Sequence, residues 1–117
     1  MIIVLFVALL FAGMGLWATL FPSQFLAHFG SRVEGRDGRS EVRAVYGGFG
    51  FAMAGALALS LYAGTYRPGI LLCLALALAG MAAGRLLSSM IDREISPKMV
   101  VVLVGEAIGA ALLFAAV

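Results

Sequence analysis

The sequence contains little charge, and its charged residues gather in short segments. Asp, Glu, Lys and Arg make up 12% of the 117 residues, which is about half of their usual share in a soluble domain. Hydrophobic residues make up 63%, and the mean hydropathy is +1.09. These values exclude an ordinary soluble domain and favour an integral membrane protein. Basic loops beside a membrane explain the net charge of +2, so we expect no nucleic-acid partner.

The residues that build metal and catalytic centres are almost missing. The one cysteine, Cys73, has no partner for an internal disulfide, and the one histidine, His28, has no second histidine with which to hold a metal. Ser88 and Ser89 lack the histidine or cysteine partner that a nucleophilic site requires. We therefore expect no catalytic residues, no metal and no cofactor, and we do not expect an enzyme.

Four apolar runs are long enough to cross a hydrocarbon core of about 30 Å at about 1.5 Å per residue. They predict an all-α integral membrane four-helix bundle that forms one transmembrane domain over residues 1–117. The first run has no basic start and no cleavage site, so we expect it to be retained. The predicted spans are residues 2–21, 41–62, 69–90 and 98–117.

Two stretches between the spans carry further signals. Residues 23–29 follow Pro22 and place apolar side chains at helical spacing, which predicts a short interfacial helix. Packing of the same side chains beneath the bundle fits the pattern equally well. Residues 30–40 are polar and rich in glycine, and predict a solvated loop with Ser40 as the N-cap of the second span.

The basic residues give the expected orientation. Every lysine and arginine except Arg67 lies near the connection after the first span or near the connection after the third. Because cytoplasmic loops are rich in Lys and Arg, this bias predicts a multi-pass protein of the bacterial inner membrane with both termini outside the cytoplasm.

Two charged residues lie inside apolar spans, Arg85 in the third and Glu106 in the fourth. An ionisable group at membrane depth faces the protein interior and pairs with a partner, and these two groups share a range of depths. A guanidinium and a carboxylate that meet bidentately satisfy each other. Tyr46 lies at a similar depth in the second span, and Glu41 and Arg43 lie near the start of that span.

Two interpretations of this group of residues remain open. One is a buried ion pair that locks the register of adjacent helices. The other is a polar pocket, formed by Arg85, Glu106 and Tyr46 with Glu41 and Arg43 nearer the interface, that holds an anionic lipid headgroup, a quinone-like ligand, a small anion or a proton in transit.

Small residues at four-residue spacing allow membrane helices to approach each other closely. Such pairs occur in the third and fourth spans, and two adjacent glycines follow Tyr46 in the second. The glycines that we expect to pack against neighbouring helices are Gly47, Gly48, Gly80, Gly84, Gly105 and Gly109.

The chain resembles a family of short bacterial four-span membrane proteins of unknown function. The resemblance rests on a Phe-Pro turn after the first span, an E-V-R-A-x-Y-G-G segment at residues 41–48, a G-R-L-x-S segment at residues 84–88, and a glutamate within the fourth span. It covers nearly the whole chain. It implies a small integral membrane protein and brings no activity with it.

Three functions are compatible with these features. The first is a non-enzymatic accessory or scaffolding subunit that contacts the lipid bilayer and either joins other membrane subunits or associates with itself. The second is a binding or transport protein for a lipid, a quinone-like molecule or a small anion, using the Arg85–Glu106 pocket. The third, a membrane enzyme that acts on a lipid, has the least support because no catalytic signature is present.

Overall fold

The computed structural model describes all 117 residues and contains helices without strands, which confirms the all-α prediction. Four helical stretches are long and apolar enough to cross a membrane, so the chain is a multi-pass membrane protein compatible with a four-helix bundle. The chain forms two compact units, Met1–Leu59 and Ser60–Val117. The helices are α1 (Ile2–Leu20), α2 (Pro22–His28), α3 (Gly35–Val42), a π-helical segment (Arg43–Gly48), α4 (Phe49–Tyr62), α5 (Arg67–Asp92) and α6 (Pro97–Ala116).

The short helix predicted after the first span is present as α2. Pro22 lies in its first turn, where the missing N–H costs nothing and the fixed φ suits a helix. Phe25 is buried together with Ala18 of α1 and Val42 of α3. Its ring also meets Trp17 edge to face, with 5.0 Å between ring centroids. The apolar face of α2 is therefore covered by the chain itself.

The predicted polar loop over residues 30–40 was wrong in its second half, because α3 begins at Gly35 with Glu34 as its N-cap. Ser40 lies within α3 and is not a cap. Asp37 in the first turn favours this helix start, where the helix dipole is positive. The helix is also anchored at its other end by the buried Val42. The second membrane-crossing stretch is therefore Gly35–Tyr62, longer than the predicted span.

Within this first unit, α1 approaches the π-helical segment and the start of α4 backbone to backbone. A Cβ built on Gly15 lies 2.8 Å from the carbonyl oxygen of Gly47, and one built on Gly50 lies 2.8 Å from the carbonyl oxygen of Phe11. A side chain at either position does not fit without movement of a helix. Gly15 of α1 lies beside Gly47, whereas the earlier residue Phe11 lies beside the later residue Gly50, so the two helical stretches run antiparallel.

The second unit is a hairpin of α5 and α6. Leu71, Leu74 and Ala75 are buried on α5, and Ala110 and Leu113 are buried on α6. The connection between the helices is short, since α5 ends at Asp92 and α6 begins at Pro97.

The predicted start of the fourth span is confirmed at α6. Ser96 is the N-cap, and its Oγ accepts a hydrogen bond of 3.3 Å from the backbone N–H of Met99. Pro97 lies in the first turn. Both residues act as their types predict at a helix start.

Candidate functional site

Arg85 and Glu106 meet within the α5–α6 hairpin. Arg85 Nε donates to Glu106 Oε1 at 2.6 Å, and Nη2 donates to Oε2 at 3.3 Å. Glu106 is buried, whereas one third of the Arg85 side chain is exposed. The pair is bidentate, so the carboxylate buried in the hairpin is fully neutralised by its partner. It is the one salt bridge in the chain.

The other edge of the Arg85 guanidinium faces a sulfur atom. Nη1 donates to Met99 Sδ at 3.5 Å. A thioether is a weak hydrogen-bond acceptor. The strong hydrogen bonds of the guanidinium are therefore those to Glu106. Nη1, on the side of Met99, can still donate to a stronger acceptor.

A cavity of about 470 Å³ opens beside this edge of Arg85. It lies between the end of α5, the connection and the start of α6. Its walls include the hydroxyl-bearing Ser88, Ser89 and Ser96 together with the apolar Met81 and Ile95. The hairpin thus carries a recess with both polar and apolar walls next to its ion pair.

Two carboxylates line the outer end of this cavity. Asp92 is the last residue of α5, and Glu94 lies in the connection. Both are exposed, and neither has a basic group within salt-bridge distance. Asp92 lies about 10 Å beyond Arg85 along α5, at about 1.5 Å per residue. The cavity is therefore basic at its inner end and acidic at its outer end.

The remaining polar residues singled out from the sequence lie in the first unit. Tyr46 packs its ring against Phe25, with 5.0 Å between the centroids. Tyr46 and Glu41 line a separate cavity of about 280 Å³ beside α3. Arg43 Nε donates to the backbone carbonyl of Thr19 at 3.0 Å.

The Arg43 contact has a clear structural role. The last carbonyl groups of a helix have no partner within the helix, and α1 ends at Leu20. Arg43 satisfies one of them and places a positive charge at the negative end of the helix dipole. The side chain thus fastens the end of α1 to the start of the π-helical segment.

The six predicted packing glycines have different surroundings. A Cβ on Gly47 would collide with Thr19 Oγ1, and one on Gly109 would lie 3.1 Å from Leu78 Cδ1. The nearest atom to a Cβ on Gly48 is the Arg43 carbonyl oxygen at 3.6 Å, within the same π-helical segment. Gly80, Gly84 and Gly105 are exposed, with open space where a Cβ would be.

Sequence reasoning missed Met99 at the site, and it missed Gly15 and Thr19 in the first unit. Gly15 and Thr19 are spaced by four, so a search of α1 for pairs of small residues finds them. Met99 carries no comparable signal, because methionine fills apolar gaps in any core.

Comparison with known proteins gives one match. A family model described as "Domain of unknown function (DUF4345)" matches residues 1–117. No curated protein and no solved structure matches the chain.

Proposed function

Since this chain belongs to the DUF4345 family of domains of unknown function, we propose its function from its own chemistry: it is a small, non-enzymatic accessory or scaffolding subunit of a larger membrane complex or homo-oligomer. The subunit resides in the bacterial inner membrane. Both termini lie outside the cytoplasm, which leaves the basic connections on the cytoplasmic side.

An exposed strip of small side chains on α5 carries the proposal. At about 100° per residue, the residues of the strip lie on one side of α5, away from the buried Leu71, Leu74 and Ala75 that face α6. A smooth strip of this kind lets another helix approach closely, and lipid contact alone does not require it. The strip consists of Gly69, Cys73, Ala77, Gly80 and Gly84, all of which are exposed.

The Arg85–Glu106 pair fits this function as a lock. Both oxygens of the carboxylate accept hydrogen bonds from one guanidinium. A pair closed in this way fixes α5 against α6 and needs no ligand to satisfy it. The hairpin then presents the strip in a defined orientation to a partner.

Leucine scanning of α5 tests the subunit proposal. We expect Gly80→Leu to abolish co-migration with a partner or with a second copy after extraction in a mild detergent, because the new side chain fills the strip. Circular dichroism should show that the helix content is unchanged, since no atom lies within 4 Å of the Gly80 Cβ position. Gly109 is unsuitable for this test because it packs against Leu78 inside the hairpin.

Ala83→Leu is the matched control for Gly80→Leu. Ala83 is exposed on the same helix, but at about 100° per residue it lies outside the strip, on the side of Leu72 and Leu76. The control should keep every partner. If Gly80→Leu also keeps all of its partners, the strip is a lipid-facing surface and the subunit proposal is wrong.

The α5–α6 cavity favours a second candidate function, the binding of a lipid or a small ligand. Its volume of about 470 Å³ lies within the range of about 300–1,000 Å³ that is usual for small-molecule sites. The spare donor capacity of Arg85 on the Met99 side supplies a polar anchor for such a ligand.

A further inference from the structure

The α5–α6 cavity is basic at its inner end and acidic at its outer end, and we propose that it binds the phosphoethanolamine headgroup of a membrane phospholipid. This inference rests on the second candidate function and names its ligand class. The phosphate lies against Arg85, the ammonium lies between Asp92 and Glu94, and the acyl chains leave along the apolar surface of the hairpin.

The inner end suits a phosphate. Arg85 Nη1 has only the sulfur of Met99 as an acceptor, at 3.5 Å. A phosphate oxygen is a far stronger acceptor for a guanidinium, and the bond is charge-assisted. It replaces the sulfur without disturbing the two bonds to Glu106. The Ser88 hydroxyl, which lines the same cavity, supplies another donor.

The whole cavity does not suit a plain anion. Glu106 already neutralises Arg85, and Asp92 and Glu94 have no basic partner. Arg93 and Lys98 lie nearby in the chain but do not line the cavity, so an anionic lipid without an amine meets a lining of negative net charge. A ligand that carries its own positive charge near the phosphate relieves this repulsion, and the ammonium of ethanolamine lies on the side of the phosphate that faces away from the acyl chains.

The chemistry of the outer end distinguishes between zwitterionic headgroups. A primary ammonium donates up to three hydrogen bonds, which two carboxylates can accept. A quaternary choline group donates none and is recognised by aromatic rings. No aromatic residue lines the cavity. Ethanolamine is therefore favoured over choline.

The depth of the site also agrees with a headgroup. α5 contains 26 residues, so it is about 39 Å long, against about 30 Å of hydrocarbon. Its last turn, with Asp92, extends to the level of the headgroups. A phosphate lies deeper than its ammonium in a bilayer, and this is the order of Arg85 and Asp92 along α5.

Native mass spectrometry of the whole chain tests the inference. The protein is delipidated and mixed with equal amounts of phosphatidylethanolamine, phosphatidylcholine and phosphatidylglycerol that carry the same acyl chains. We expect phosphatidylethanolamine to be retained at least tenfold over each of the others. In Asp92→Asn/Glu94→Gln this preference should fall to within about twofold, because the ammonium loses its charged acceptors. Both residues are exposed, so the variant should fold.

Glu34→Gln/Glu41→Gln is the matched control, since it removes two exposed carboxylates that line the cavity of the first unit. It should keep the full preference. Competition by soluble glycerophosphoethanolamine should displace little lipid. If this soluble ester binds as tightly as phosphatidylethanolamine, the assignment to a lipid is overturned. Retention of all three lipids in equal amounts, or preference for phosphatidylglycerol, overturns the headgroup while the second candidate function stands. Retention of no lipid and no ester overturns both.

Discussion

Replacement of Glu106 by glutamine should lower the free energy of unfolding by about 3 kcal/mol, because it leaves the Arg85 guanidinium in the hairpin without a counter-charge. The loss should lie at the low end of the range for broken buried pairs, since one third of the Arg85 side chain is exposed and water screens part of the charge. Titration with a denaturing detergent, followed by circular dichroism, measures the change.

Two further variants test whether the pair acts as a lock between α5 and α6. The exchange Arg85→Glu/Glu106→Arg should restore much of the lost stability, because opposite charges again face each other across the hairpin. Glu94→Gln is the control and should change the stability by less than about 0.5 kcal/mol, as expected for an exposed carboxylate in a connection. Wild-type stability of Glu106→Gln itself would show that the pair does not hold the helices together.

Replacement of Gly50 by alanine should destabilise the first unit by about 3 kcal/mol, at the upper end of the usual cost of overpacking. The new Cβ meets the carbonyl oxygen of Phe11 at 2.8 Å and the backbone nitrogen of Gly15 at 2.9 Å. Backbone atoms cannot rotate away as a side chain can, so α1 must move. The single tryptophan, Trp17, packs against Phe25 in this unit, and its fluorescence reports the unfolding.

Gly13→Ala is the matched control for Gly50→Ala. It lies on α1, and nothing is within 4 Å of its Cβ position. Alanine is the better helix former by about 1 kcal/mol, so this variant should be as stable as the wild type or more stable. Equal stability of Gly50→Ala and Gly13→Ala would contradict the close approach of α1 to the start of α4, where Gly50 lies.

The parts of the fold that the sequence predicts are those with strong local or chemical signals. Long apolar runs predict membrane-crossing helices, and Ser96 and Pro97 mark a helix start by their types alone. The partner of Arg85 could be named because Glu106 was the carboxylate at a matching depth. A buried charge narrows the possible contacts far more than an apolar residue does.

Other features could not be predicted because the signal is absent or ambiguous. The long helices α1, α4, α5 and α6 are apolar on almost every side, so periodicity does not show which face packs. Small-residue spacing marks Gly80 and Gly109 equally, yet only Gly109 meets another helix, at Leu78. The charged residues 35–40 are compatible with either a loop or a helix. In the folded unit these residues are helical, and Val42 at the end of the helix packs against Phe25.

The most direct test of the subunit account is the native mass of the protein after gentle extraction from its own membrane, with identification of every polypeptide and small molecule that co-migrates. The account predicts a defined assembly larger than the 12.2 kDa chain, held at constant stoichiometry by a partner or by further copies. A folded monomer that carries only lipid would contradict it and would assign the function to the α5–α6 cavity.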